Sequence, residues 1–328
     1  MRRFICWILL AVGAFAPAAG VSAQGEAGSI GLRLLEAPTG RRDDPRARSY
    51  IIDHVHPGGS ISRKVGVKST SNKQVRVTLF SGAARLVRGQ FVPSEGADTN
   101  ELATWTTISP EAIDVPPGDE VVATVRIAVP RDASPGERYG VAWAQLPKST
   151  PESGGPSQVN RVGIRIYLSV GPGGEPASDF VIDSLVAQRI KDGTPVVVAR
   201  VRNIGGRALD LSGSLRLVNG PAGLSAGPFP AKLGTTLGLN QSAPVTIHLD
   251  KRLPDGPWDA KITLRSGLVD RSASATISFP ESQGAAEPVK VVPPSSGWLT
   301  IVLGVLGALV LLFVLLLFLR RRRRERVD

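Results

Sequence analysis

The sequence predicts an all-β protein: two Ig-like antiparallel β-sandwich domains in tandem, preceded by a signal peptide and followed by one C-terminal transmembrane helix. Three observations predict it. Short segments with strict apolar–polar alternation recur along the chain, the period of a strand with one buried face. Pro-Gly, Asn-Gly and Asp-Gly pairs separate these segments, as turns require. An uncharged apolar run near each end breaks the alternation altogether.

The first element, residues 1–23, has a basic start at Arg2 and Arg3 and then the apolar stretch ICWILLAVGAFA. Val21-Ser22-Ala23 forms a small-residue cleavage pattern, which places the cut between Ala23 and Gln24. The stretch is too short for a span, so it is expected to be removed on export. The single cysteine, Cys6, leaves with it. The mature protein is then expected to fold by core packing alone, without disulfides, although disulfides could form where it works.

Residues 28–172 are expected to form the first sandwich. VVATVRIAV puts Val121, Ala123, Val125, Ile127 and Val129 on one face. VGIRIYLSV does the same with Val162, Ile164, Ile166, Leu168 and Val170, and QVRVTLF with Val75, Val77 and Leu79. After the turn-rich GPGGEPASD, a second sandwich is expected over 177–280. Leu211, Leu215 and Leu217 share a face, as do Val245, Ile247 and Leu249. Trp258, Ala260, Ile262 and Leu264 form another set, and Ala273, Ala275, Ile277 and Phe279 the last. Turns fall at Pro57-Gly58, Pro117-Gly118, Asn219-Gly220 and Asp255-Gly256. Residues 281–296 lack periodicity and contain three prolines, the composition of an extended spacer.

Residues 297–319, GWLTIVLGVLGALVLLFVLLLFL, carry no charge. As a helix they reach about 34 Å, enough for a hydrocarbon core of roughly 30 Å. Trp298 stands at the interface, and the tail 320–328 brings Arg320, Arg321, Arg322, Arg323, Arg324 and Arg326 to the cytoplasmic side. The expected topology is single-pass in a bacterial plasma membrane, sandwiches outside and tail inside.

The net charge of +11 does not indicate a nucleic-acid binder. Arg2 and Arg3 account for +2, and the tail, six arginines against Glu325 and Asp328, for +4. The remaining +5 is spread thinly, without the dense basic face such binding needs. It suits weak, screened attraction to anionic wall polymers or headgroups.

Catalytic patterns fail on their context. Gly223-Leu224-Ser225-Ala226-Gly227 matches G-x-S-x-G, but Pro221 and Pro228 bracket it and no helix pattern follows. It is expected to be a loop between strands. His54 and His56 fall on one face if extended, yet Pro57-Gly58 turns the chain at once and no third metal ligand is evident. Both are expected in an exposed loop. The carboxylate pairs Asp43-Asp44 and Asp119-Glu120 lie in turns, with no apolar pocket to raise a pKa. No catalytic, metal or cofactor site is expected, and no cofactor is implied.

One ordered series of features carries a family likeness: Ser49-Tyr50-Ile51, Pro57-Gly58, Val65–Val67, Ser71-Asn72, Val75–Leu79, Ala83-Ala84, Trp105, Pro117-Gly118, Val125–Pro130, Pro135-Gly136 and Tyr139-Gly140. The stretch PPGDEVVATVRIAVPRDASPGERYG holds most of it. The series resembles the N-terminal, peptidoglycan-binding domain of the WxL-interacting proteins, a bacterial cell-surface family. The layout of leader, second Ig-like domain, single span and basic tail is similar to that family throughout. The second domain departs from it, being a generic Ig-like module where the family has its host-binding domain. The resemblance implies peptidoglycan as ligand and surface proteins bearing a W-x-L motif as partners, but it fixes no ligand residue. Trp7-Ile8-Leu9 is accidental, since it lies in the leader.

The functional expectation is a non-enzymatic, membrane-anchored envelope protein that binds peptidoglycan, another anionic wall polymer or surface protein partners through its sandwiches. The alternative is an accessory subunit or chaperone-like module of an envelope secretion or transport assembly.

Overall fold

The computed structural model describes residues 29–94, 98–147, 159–232 and 234–292. The leader with Ala23 and Gln24, the apolar run 297–319 with Trp298, and Arg320 to Arg324 and Arg326 lie outside the described residues. Among the described residues no helix is long and apolar enough to cross a membrane.

The chain is all-β. Its first half supplies β1 (Ile30–Leu34), β2 (Ile51–Val55), β3 (Ser60–Ser69), β4 (Val75–Val87) and β5 (Gln90–Pro93). It continues with β6 (Thr106–Ser109), β7 (Ala112–Val115), β8 (Glu120–Ala128), β9 (Gly136–Gln145) and β10 (Arg161–Val170). One sheet runs β1-β3-β8-β6, and the facing sheet runs β2-β10-β9-β4-β5, with β7 also on β4. Two one-turn helices join in, α1 (Pro45–Ser49) and α2 (Glu101–Trp105). Asp44 caps α1 by accepting from the Arg46 amide at 2.9 Å, and Asn100 caps α2 by accepting from Ala103 at 2.9 Å. α1 lies where the chain leaves one sheet for the other, so that β2 pairs with β10 in parallel.

The expected alternation is the observed core. Val65, Val67, Val77, Ala123, Val125, Ile127, Ile164, Ile166 and Leu168 are all buried between the two sheets. The Pro-Gly pairs behave as predicted, because Gly58 (φ 83°) and Gly118 (φ 78°) take the left-handed position that a turn demands.

The second half supplies β11 (Phe180–Arg189), β12 (Pro195–Asn203), β13 (Leu209–Asp210), β14 (Ser212–Val218), β15 (Ala226–Pro230) and β16 (Thr236–Leu237). Then come β17 (Ser242–His248), β18 (Trp258–Ser266), β19 (Val269–Ile277), β20 (Gly284–Ala285) and β21 (Val289–Lys290). One sheet runs β17-β12-β11-β20, with β21 also on β11, and the other runs β15-β14-β18-β19. Leu215, Leu217, Val245, Ile247, Trp258, Ala260, Ile262 and Leu264 fill the space between them.

The spacer expected over 281–296 is corrected for most of its length. Gln188 and Arg189 pair with Ala285 and Gly284, and Ser184 and Leu185 pair with Lys290 and Val289. Val292 then crosses to β19, exchanging both backbone hydrogen bonds with Ser274 at 3.1 and 2.9 Å. Ala286, Val289 and Val291 pack on the core. The run is too short and too broken by Pro288 to show a period, yet an open strand edge receives it.

Trp258 is fully buried and donates Nε1–H to the Pro254 carbonyl at 2.9 Å. A Cβ on Gly220 would stand 2.1 Å from its Cζ3. Gly220→Ala is therefore expected to lower stability by about 1–3 kcal/mol through overpacking, read as a lower midpoint in thermal unfolding.

Candidate functional site

The outward face of the β2-β10-β9-β4-β5 sheet is not an ordinary solvated surface. Off-core positions of β5, β9 and β10 and of the approach to β2 carry Tyr50, Phe91, Tyr139, Trp143 and Tyr167, and the chain has three tyrosines in all. Ring centroids are 5.8 Å apart for Tyr50–Tyr167, 5.3 Å for Phe91–Tyr167 and 5.9 Å for Tyr139–Tyr167, tilted or edge-on as ring quadrupoles prefer. The second sandwich covers one end of this face through Ala208, so Tyr167 is 1% exposed.

Charge lines the junction. Asp210 on β13 is its hub. Oδ1 accepts from the Tyr167 hydroxyl at 3.0 Å and from Thr236 Oγ1 at 2.7 Å, with Arg165 Nη1 at 3.4 Å. Oδ2 accepts from Arg46 Nε at 2.9 Å, with Nη2 at 2.8 Å. The same Arg46 donates from Nη1 to the Ala208 carbonyl at 3.0 Å, while its guanidinium stands 5.0 Å from the Tyr167 ring centroid. Glu137 of β9 accepts from the Ala208 amide at 2.8 Å and from the Tyr139 hydroxyl at 2.7 Å. Glu175, in the linker, joins the fully buried Arg207 of the second sandwich to Arg41 of the first. The Thr236 amide donates to the Gly89 carbonyl at 2.7 Å, tying the β4–β5 turn to the second sandwich.

Burial dominates the ionisation of these groups. It pulls the Arg207 guanidinium down to about 10, with neighbouring Arg41 adding to the effect and Glu137 opposing it. It raises the Asp53 carboxyl against the pull of Arg63, and raises that of Glu137 against hydrogen bonds from Tyr139 and Ala208. Tyr139 and Tyr167 are held above the ordinary phenol range, first by burial and then by the carboxylates beside them.

Two clefts open beside the junction. One, of about 500 Å³, is lined by Arg46, Tyr50, Arg165, Asp210, Thr235 and Arg265 among others. The other, of about 440 Å³, is lined by Arg85, Asn100, Glu137, Arg138, Tyr139 and Gln241 among others. In the first, the half-buried Arg165 guanidinium lies 4.8 Å from the Phe91 centroid and 5.4 Å from that of Tyr50. Further along the face, Arg161 lies 4.6 Å from the Trp143 centroid. Glycines leave room for that indole: a Cβ on Gly82 would meet Nε1 at 2.6 Å, and one on Gly163 would meet Cε3 at 2.7 Å.

The patterns weighed in the sequence lie elsewhere. Gly223-Leu224-Ser225-Ala226-Gly227 runs from a 3-10 turn, Pro221–Gly223, directly into β15, without the strand-to-helix elbow a nucleophile needs. His54 is corrected: it sits inside β2, opposite Ser169, with both ring nitrogens buried and without a hydrogen-bond partner among the described residues. Only His56 is exposed, beyond the strand. Asp44 is consumed by the α1 cap, and Glu120 by a two-point pair with Arg33 at 2.6 Å. Among the described residues no three His, Cys, Asp or Glu side chains gather as metal ligands would.

Alternation marks the core face of these strands and leaves the opposite face unassigned. A signal was present: GERYGVAWAQ carries Tyr139, Val141 and Trp143 at alternate positions, and VGIRIYLSV carries Arg165 and Tyr167. Two neighbouring strands apolar or aromatic on both faces call for a second covering layer.

No protein family matches the chain, and no curated protein matches it in sequence. Solved structures do. The Pseudomonas aeruginosa CupB2 chaperone is 9% identical, with 70% of this chain and 97% of that one covered and a TM-score of 0.38. The E. coli chaperone DraB is 11% identical, covering 76% and 99%, with a TM-score of 0.37. The CsuC-CsuE chaperone-tip adhesion subunit pre-assembly complex of Acinetobacter baumannii is 13% identical, covering 70% and 96%, with a TM-score of 0.36.

The raised Glu137 and Asp53 carboxyls have a measurable consequence. Their folded pKa values lie above the unfolded ones, so the folded state binds more protons between the two values and stability falls as pH rises through that window. Thermal midpoints are expected to rise on moving down from neutral pH toward the ordinary carboxylate range. Glu137→Gln should flatten that slope.

Proposed function

We propose that this protein is a non-enzymatic, membrane-anchored envelope module that holds a protein partner on the outward face of its first sandwich. It would serve as an accessory or chaperone-like subunit of a secretion or transport assembly. The observation that carries this reading is the composition of the face. Tyrosine, tryptophan and arginine are the residue types that dominate binding hot spots, and two such stacks, Arg165 on Tyr50 and Arg161 on Trp143, lie half-buried along it. Stacked guanidinium groups and rings are already ordered, so little conformational entropy is lost when a partner docks. Where a hydroxyl meets a carboxylate, Tyr139 on Glu137, the phenol is held above its ordinary range and is a poor nucleophile, so the two clefts offer little for catalysis. The carboxylates that line them are spent on guanidinium, hydroxyl and amide partners. Export and anchoring follow from the sequence at either end, with the sandwiches outside a bacterial plasma membrane. A surface protein bearing a W-x-L motif is the partner that the family resemblance suggests.

A second reading has its own observation. Trp143 over two glycines, beside Arg161, makes an aromatic surface next to a cation. Sugar rings and anionic groups of peptidoglycan or another wall polymer suit that surface.

A photo-crosslinker placed at Trp143 of the full chain in intact cells separates the two. A defined envelope protein attached there supports the first reading. Retention of the detergent-purified full chain on cell-wall sacculi, lost in Trp143→Ala, supports the second; neither outcome sinks both. Trp143→Ala is expected to weaken partner binding by roughly 2 kcal/mol, about thirtyfold in Kd, without moving the thermal midpoint by more than a few degrees.

A further inference from the structure

The path of the last described residues determines where the membrane lies, given the reading of 297–319 as a membrane span, on which this inference rests. Residues Val289 to Val292 run antiparallel to β11 and to β19. Their direction is therefore toward Phe180, where β11 begins just after the linker, and toward Val269, where β19 begins. Both ends lie at the waist between the sandwiches. The β18–β19 turn touches the first sandwich there: a Cβ on Gly267 would stand 2.8 Å from Asp44 Oδ1, beside α1. Arg271 at the start of β19 pairs with Asp179 of the linker at 2.7 Å.

Four residues, Pro293 to Ser296, separate Val292 from Gly297. In any conformation the five steps from Val292 to Gly297 span at most about 18 Å. Along β19 the six residues from Ser274, which holds Val292, to Leu268 cover roughly 20 Å. The apolar run thus begins within one short tether of the waist. The far tip of the second sandwich is out of the direction of travel. Val218 pairs with Asp259 at that end, and Leu224 follows it, whereas Ser212 pairs with Arg265 at the waist end.

We infer that the bilayer surface lies at the waist of the molecule and that the Gly267-Leu268 turn rests among its lipid headgroups. The second sandwich is not carried on a stalk; it is clasped to its own anchor by β20, β21 and Val292. Leu268 suits that place, since it is 65% exposed at the apex of a hairpin, the most exposed of the large apolar side chains described. On the same hairpin Arg265 and Arg271, with side chains 59% and 45% exposed, carry guanidinium groups paired with Asp270 and Asp179. An amphipathic contact of this kind combines a small apolar insertion with charge attraction at the interface.

Cys6 is the single cysteine of the chain, so in a Cys6→Ser background single probes can be placed freely. The full chain carrying Leu268→Cys or Leu224→Cys, each labelled with a fluorophore, is reconstituted into phosphatidylcholine–phosphatidylglycerol vesicles containing headgroup-nitroxide lipid. Both positions are exposed, 65% and 48%, so neither change disturbs the core. The expected result is several-fold stronger quenching at 268 than at 224. Equal or absent quenching at both positions, with the protein floating with the vesicles after alkaline extraction, overturns the inference and leaves the anchor intact. Loss of flotation overturns the anchor and the inference together. An emission change at 268 that follows protein density and ignores the nitroxide assigns the turn to a second copy, which also overturns it.

Discussion

The molecule depends on one constraint: a sheet of the first sandwich is apolar on both faces and must be covered twice. The inner face is covered by its partner sheet, as in any sandwich. The outer face is covered by another domain, and only in part. Asp210, Glu137 and Glu175 make that second covering possible, because each joins groups from both sides of the junction. Charges taken out of water must be paired, and breaking one pair strands its partner. The junction is thus set in orientation as much as in strength. Asp210 accepts from Arg46 and Tyr167 together only when the two sandwiches meet at this angle.

Much of the fold was legible in the sequence, and the reason is periodicity. A strand with one buried face announces itself by alternation, and VVATVRIAV and WDAKITLRSG did so residue by residue. Pro57-Gly58 and Pro117-Gly118 announced their turns through the one conformation glycine adopts without strain. What stayed hidden was everything that depends on a second partner. Tyr167 and Trp143 occupy positions that alternation assigns to solvent, and only the assembled structure shows the second sandwich above Tyr167. Nearness to Pro57-Gly58 suggests a loop for His54, yet the strand persists to Val55, held by its parallel pairing with β10. Within 281–296, expected as a spacer, two-residue strands interrupted by Pro288 leave no period to detect.

The candidate surface was less legible than the fold for a related reason. A catalytic site leaves reactive residues at telling intervals, whereas a docking face is an area. Its members come from β2, β4, β5, β9 and β10, and Gly82 and Gly163 contribute by having no side chain at all. Absence of bulk beside an indole is a structural statement that no motif search registers. The charge distribution has the same character: at the junction Arg41, Arg46, Arg165 and Arg207 meet Glu175 and Asp210, a compensation that the net charge conceals.

The parallel pairing of β2 with β10 also sets a timetable. Ile51 finds its neighbour only at Ile166, after nearly the whole first sandwich has been made. A chain emerging N-terminus first must keep β2 waiting while the intervening strands form their own ladders, and long-range pairings of this sort are the slow ones. During that interval an unpaired apolar strand is on offer to any passing edge. The arrival of β10 closes the sandwich and withdraws that strand from circulation in a single step.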